Sequence, residues 1–308
     1  MKSAPFSFSA SDGKQIHVHR WLPEGKPRAL ILVAHGMAEH GARYGRLAER
    51  LCAAGFAVYA PDHRGHGLTA GSEGEFGWFA ERDGFRRVVD DLHEIAQGAL
   101  KDNPGLPLFL YGHSMGSLLS QAYIALYGRE LSGCALSGVP EPLPAGLLAA
   151  GRTIAAIGCL VKGQKAKAPL LDTMSFGAFG KPFAPNRTKF DWLSRDDAEV
   201  DKYVADPACG FVCSFGFFRD LLGGVAFAYG EEAQGKIPLG LPLYMFAGSE
   251  DPCGAATGGF EKLHGRYAAR GMKDLSMKLY PGARHEVMNE TNRDEVAADL
   301  LSWLEDRL

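Results

Sequence analysis

Leu108-Phe109-Leu110-Tyr111-Gly112-His113-Ser114-Met115-Gly116-Ser117-Leu118-Leu119 is the stretch on which the reading of this 308-residue chain turns. Its first four residues are continuously apolar, as in a strand covered on both faces. Residues 117–127 have the composition of a helix. Between the two lies G-x-S-x-G, a turn so tight that small residues must flank its serine. The pentapeptide alone is weak evidence in a chain with 39 glycines. The strand before it and the helix after it make it a candidate nucleophile elbow, with Ser114 at the tip.

Outward from this point the chain alternates between two periodicities. Residues 16–21 alternate polar and apolar and predict an early antiparallel strand. The continuous apolar runs 29–34, 56–60, 134–137 and 243–247 predict buried strands, and 275–280 predicts a further one. Helices are expected over 42–54, 85–100, 259–270 and 293–304, the first stopped by Gly55. Strands alternating with helices define an α/β protein with a mostly parallel sheet covered on both faces. The rhythm breaks between about 138 and 239, where six prolines fall between Pro140 and Pro185. This divides the chain into a core of 1–137 with 240–308 and an inserted helical cap, or lid, of 138–239. Residues 147–161 are apolar apart from Arg152 and Thr153, and Lys162, Lys165 and Lys167 follow. They read either as a helix packed over the core or as a lid helix whose apolar face meets a lipid-like substrate or brushes a membrane.

Composition narrows the function. With 46% apolar and 22% charged residues the chain has a large core. A formal net charge of −3 gives no reason to expect nucleic acid or an anionic membrane as partner. Six scattered cysteines form no C-x-x-C pair, so free thiols in a reducing compartment are expected rather than disulfides or zinc. Residues 1–8 lack the apolar segment of a signal peptide, and no run approaches the ~18 apolar residues of a membrane span. The expectation is a cytoplasmic protein.

A nucleophilic serine needs a base and an orienting acid, which in this fold follow it in the order acid, then histidine. Beyond the break only His264 and His285 remain. His264 falls inside an expected helix. His285 lies in the loop Pro281-Gly282-Ala283-Arg284-His285-Glu286 after the last strand, where an imidazole reaches back over the sheet edge. The acid belongs after the preceding strand, in Gly248-Ser249-Glu250-Asp251-Pro252. Asp251 is the choice there and Glu250 its competitor. Two backbone N–H groups must then hold an oxyanion: that of Met115, directly after the serine, and that of Met37 in His35-Gly36-Met37 after an early strand. The Asp62 to Gly67 loop offers ligand types for a metal but no further cluster to complete a site, and reads as a structural turn. His17 and His19 share one side of a strand that reads as a solvated edge.

Taken together, His35-Gly36-Met37-Ala38-Glu39-His40 with Arg43 and Tyr44, Pro61-Asp62-His63-Arg64-Gly65-His66-Gly67, Gly112-His113-Ser114-Met115-Gly116, Glu199-Val200-Asp201-Lys202-Tyr203, and Gly282-Ala283-Arg284-His285-Glu286 carry a resemblance. The chain resembles the S33-type serine hydrolases grouped with monoacylglycerol lipases and bacterial lysophospholipases, within the α/β-hydrolase superfamily. Thr69 stands where those proteins usually have serine. The resemblance implies Ser114, Asp251 and His285 as a triad, and Met37 and Met115 as oxyanion donors. It also implies a polar head-group pocket involving Glu39 and Arg43, with His40 and Tyr203 beside them. The spacing of Glu39 and Arg43 equally allows a simple surface pair on a helix start.

The expected reaction is two-step acyl transfer on a small-molecule or lipid ester, with no metal or organic cofactor. Alternatives are an esterase for small or aromatic esters, a proline-type aminopeptidase with Glu39 receiving the substrate's ammonium, and a slow or non-catalytic ligand sensor. A dehalogenase would carry an aspartate where Ser114 stands.

Overall fold

The apolar run Ala29–Ala34 has no face to give to water. In the computed structural model, which describes all 308 residues apart from the side chain of Glu73, it becomes a fully buried strand with a parallel neighbour on each side. The sheet contains β1 (Lys2–Ser3), β2 (Phe6–Ser9), β3 (Gln15–Leu22), β4 (Ala29–Ala34), β5 (Phe56–Pro61), β6 (Leu108–His113), β7 (Gly133–Ser137), β8 (Leu243–Gly248) and β9 (Leu275–Tyr280). Their order is β1-β3-β5-β4-β6-β7-β8-β9, with β2 also on β3. β4 to β9 run parallel, whereas β3 is antiparallel to β5. The α/β class expected from the alternating pattern is the fold observed.

The helices are α1 (Gly45–Ala53), α2 (Gly67–Ala70), α3 (Gly84–Asp102), α4 (Met115–Tyr127), α5 (Ala145–Lys162), α6 (Pro169–Phe176), α7 (Asp197–Ala205), α8 (Phe215–Ala228), α9 (Glu231–Lys236), α10 (Gly259–Ala269) and α11 (Arg293–Glu305). Strand parity divides the core in two. Leu30, Leu32, Leu108 and Leu110 point to the side covered by α3, α4 and α10, while Ile31, Val33, Phe109 and Tyr111 point to the side of α1 and α11. Burying each such side chain contributes about 1.5–3 kcal/mol. The loops that follow β4, β6, β7, β8 and β9 all emerge at the carboxyl edge of the sheet, where ligands bind in open α/β sheets.

Three expectations need correction. β3 is not a solvated edge, because β1 and β2 pair along one side and β5 along the other; His19 is partly buried, with Nε2 3.1 Å from Asp62 Oδ1. The helix expected over 42–54 begins as a 3-10 turn, Gly41–Tyr44, before α1. Finally, α5 packs over the core only through a narrow stripe: Ala155 joins the main core cluster, and Leu148, Ile154 and Cys159 pack against it. Its only buried residues are Gly151, Ala155 and Gly158, a stripe of small side chains against α8 and Phe215. Leu160 and Val161 are 88% and 75% exposed. At 18 residues and a mean hydropathy of 1.4, α5 also reaches the length and apolarity of a membrane span, which the fifteen-residue stretch 147–161 understated.

Candidate active site

The turn between β6 and α4 places Ser114 at φ +53° and ψ −118°, a conformation that costs a non-glycine residue about 1–3 kcal/mol. It is held from both sides. Ser114 N–H donates to Ser137 O at 2.9 Å, and Ser117 Oγ donates to Ser114 O at 2.6 Å. A Cβ at Gly112 would overlap the Gly116 carbonyl, and one at Gly116 would overlap the Ala34 carbonyl. The flanking glycines are therefore required by contact as well as by the turn. Ser114 is only partly buried and lines a cavity.

His285 lines the same cavity. Its Nδ1 lies 2.9 and 3.0 Å from the two carboxylate oxygens of fully buried Asp251. A carboxylate only accepts, so Nδ1 carries the proton and Nε2 keeps a lone pair. Asp251 is in turn fixed by the Cys253 N–H, which donates to Oδ1 at 2.9 Å. The imidazole packs 5.0 Å from the Trp192 ring and 4.7 Å from that of His113. Burial alone would push its pKa down, but the charge and hydrogen bond of Asp251 outweigh it and hold His285 above the usual histidine value. Glu250 is exposed and His264 only partly buried on α10; neither is hydrogen-bonded to His285. The order of residues in the chain thus leads to the three side chains that the fold brings to one edge.

The loop after β4 is fixed just as closely. His63 N–H donates to His35 Nε2 at 2.9 Å, which leaves the His35 proton on Nδ1, and Nδ1 donates to Gly36 O at 2.8 Å. A trans peptide sets its N–H opposite its carbonyl, so the N–H of Met37 points away from His35. Met37 lines the cavity. Burial holds His35 well below the usual histidine range and brings His63 down to about 3, so both stay neutral donors and acceptors. Met115 is the first residue of α4, where an N–H has no partner within the helix. The Asp62 turn lies beneath: Asp62 accepts from Gly41 N–H and Leu68 N–H at 2.8 Å each, and Thr69 Oγ1 accepts from His17 N–H at 2.8 Å.

Glu39 and Arg43 are not a surface pair. Glu39 is 3% exposed; its Oε1 accepts from Gly36 N–H (2.5 Å) and Tyr44 O–H (2.9 Å), and its Oε2 from Arg43 (2.6 Å). Arg43 also donates two bonds of 2.7 Å to Glu286, a buried carboxylate that sequence reasoning passed over. Burial pushes the Glu286 pKa up, but Arg43 outweighs it and brings the group to about 2. The only signal for it was an acidic residue directly after His285 in a loop that otherwise turns inward. Of the four residues implied as head-group contacts, Glu39 and Tyr203 line the cavity, whereas His40 and Arg43 do not. His40 Nε2 instead meets Asp206 Oδ2 at 2.9 Å, because its ring turns toward the segment after α7.

The cavity has a volume of about 510 Å³. Phe176, Phe190, Trp192, Leu193 and Phe211 wall it, all from the excursion between β7 and β8, and Lys181, Lys189 and Asp172 add charge. Donor atoms of His19, His40 and Asp62, of His40, Asp206 and Cys209, and of Asp251, Cys253 and His285 each lie within 4.8 Å of one another. These are the residues able to hold a metal, and the hydrogen bonds just given already occupy most of them.

A serine on a strained strand-to-helix turn, a buried Asp–His pair from later loops and a parallel sheet of this order define an α/β-hydrolase. More particularly, residues 25–292 match the model of the serine aminopeptidase S33 hydrolases, and the chain belongs to that family. It is 32% identical to a monoacylglycerol lipase of Mycolicibacterium smegmatis over 302 residues, 97% of this chain and 95% of that protein. It is 31% identical to the monoglyceride lipase of Mus musculus, covering 97% and 89%. Among solved structures it is similar to a thermostable carboxyl esterase from Bacillus coagulans in complex with glycerol, with a TM-score of 0.89, 30% identity and 99% of both chains covered.

Proposed function

We propose that this enzyme hydrolyses monoacylglycerols through an acyl-Ser114 intermediate. The enzyme is a carboxylic ester hydrolase of the α/β-hydrolase class, and its substrate is a lipid ester. The observation that carries the mechanism is the convergence of Ser114 and the buried Asp251–His285 pair on one aromatic-walled cavity. Rotation about Cα–Cβ brings Ser114 Oγ to the lone pair of His285 Nε2, which takes its proton as the oxygen attacks the ester carbonyl. Asp251 steadies the resulting imidazolium. The N–H groups of Met37 and Met115 receive the oxyanion, and each such donor typically supplies a factor of about 10²–10³. His285 returns the proton to the leaving alcohol, and water then repeats the cycle on the acyl-enzyme.

Residues 138–239 serve as the cap. Their aromatic side chains suit an acyl chain, and Glu39 forms part of the wall at the alcohol side. Lys181 and Lys189 favour a second reading, in which the alcohol carries a phosphate as in lysophospholipids. An aminopeptidase is disfavoured because Glu39 is already committed to Arg43, Tyr44 and Gly36. A passive sensor would have no need of the strained Ser114. The exposed apolar face of α5, with Leu160 and Val161 beside Lys162 and Lys165, rests against lipid while substrate enters. The six free cysteines support a reducing compartment such as the cytoplasm.

A fluorophosphonate is expected to label the wild type and not Ser114→Ala, and turnover of monoacylglycerol is lost with the label; an unlabelled wild type would contradict the mechanism. The base acts when neutral, and Asp251 raises the His285 pKa, so activity falls on acidification through a value above the usual ~6.5. In Asp251→Asn the acid limb moves to lower pH and kcat drops by about 10⁴; a limb that stayed in place would exclude this pair. Leu160→Glu is expected to weaken co-sedimentation with phosphatidylcholine vesicles while turnover of a soluble nitrophenyl ester persists. Vesicle binding equal to that of the wild type would remove α5 from any lipid contact.

A further inference from the structure

The segment 36–38 is gripped at three consecutive points. His35 Nδ1–H holds the Gly36 carbonyl, and Glu39 Oε1 holds the Gly36 N–H. The third grip comes from the cap. Tyr203 O–H donates to the Ala38 carbonyl at 2.8 Å, and Gly210 N–H donates to the same oxygen at 2.9 Å.

Ala38 itself lies at φ +53°, one of three non-glycine residues with positive φ. That conformation costs about 1–3 kcal/mol and persists only where the surroundings hold it. Two donors on its carbonyl are such a hold, and both come from residues more than 160 positions away in the chain. The donor side chain is fixed in turn. Tyr203 is 6% exposed, and its ring packs 4.8 Å from the Arg43 guanidinium and 4.9 Å from the Phe190 ring. Burial keeps its phenol protonated, well above the ordinary tyrosine value. A phenol has one proton to give. Tyr203 gives it to Ala38, and its oxygen also receives Gly210 N–H at 3.1 Å. Although it borders the cavity, the hydroxyl has no donor left for a substrate alcohol.

We propose that Tyr203 is a positioning residue: through its hydroxyl the seated cap holds the Ala38 carbonyl and thereby aims the Met37 N–H at the oxyanion. This rests on the assignment of Met37 as an oxyanion donor. It makes cap seating a condition for catalysis, rather than a matter of substrate access alone. Both acylation and deacylation pass through an oxyanion, so a loosened loop slows every ester alike. It has no reason to weaken the binding of one head group.

The experiment compares Tyr203→Phe with wild type on p-nitrophenyl acetate and on a monoacylglycerol, with active sites counted by fluorophosphonate labelling taken to completion so that misfolded protein drops out. Phenylalanine keeps the packing on Arg43 and Phe190 and removes only the hydroxyl. The expected result is a fall in kcat of about 10-fold, short of the ~10²–10³ for losing a whole oxyanion donor, by the same factor on both esters and with KM little changed. Arg46→Ala, which removes a different cap–core contact (Arg46 Nη2 to Glu199 Oε2, 2.6 Å), should leave kcat unchanged. Unaltered kcat in Tyr203→Phe would overturn the positioning role. So would a rise in KM confined to the glycerol ester, or an equal fall in Arg46→Ala. A wild type that takes up no fluorophosphonate would instead overturn the site assignment beneath it.

Discussion

Everything at this site depends on a serine held where its backbone does not prefer to be. The Ser114 conformation exists because β6 and α4 are separately anchored, the first by strands on both sides and the second by a buried face from Leu118 to Ala125. Their burial offsets the strain several times over at about 1.5–3 kcal/mol per large apolar side chain. Gly112 and Gly116 then let the turn approach the Ala34 carbonyl and the first turn of α4 without collision. The same close approach brings the loop after β4 beside the serine, so that Met37 and Ser114 line one cavity. The strain at Ser114 and the nearness of that loop are one geometric fact.

The second constraint is electrostatic. The floor of the site buries several ionisable groups, and it holds them in two ways. His35, His63 and His113 are kept neutral by burial, the last two down to about 3 and about 4. Glu286 and Arg43 are instead kept charged by one another, and Glu39 bonds the same guanidinium. That cluster ties the residue after His285 to the loop after β4, so His285 and the proposed oxyanion donor Met37 share one buried brace. Breaking a buried pair of this kind typically costs about 3–5 kcal/mol, which marks Glu286 as a structural neighbour of the chemistry rather than a participant in it.

Much of this was legible in the sequence, and the limits follow from distance along the chain. Unbroken apolar runs gave β4, β5, β6 and β8 because a strand buried on both faces has no other composition. The pairing of Asp251 with His285, and the placing of His285 on one cavity with Ser114, could be anticipated because this fold carries such residues in a set order on successive strand ends. Hidden were contacts whose partners are far apart: Arg43 with Glu286, 243 residues away, and Tyr203 with Ala38, 165 away. Nothing in the local composition of either partner announces such a pairing. β1 and β2 were missed because they are short and half exposed. Which stripe of α5 faces the core was not legible, because a helix apolar on most sides does not say which stripe it buries; the answer was its smallest residues, where Phe215 approaches closely.

The central claim is that an ester's acyl group passes through Ser114 Oγ. Acid quenching of turnover on a monoacylglycerol, followed by mass analysis of the digested protein, tests it most directly. An acyl group on the peptide that contains Ser114, present in Asp251→Asn as well but formed more slowly, is the predicted result. An acyl group on another residue, or turnover that survives Ser114→Ala, would contradict it.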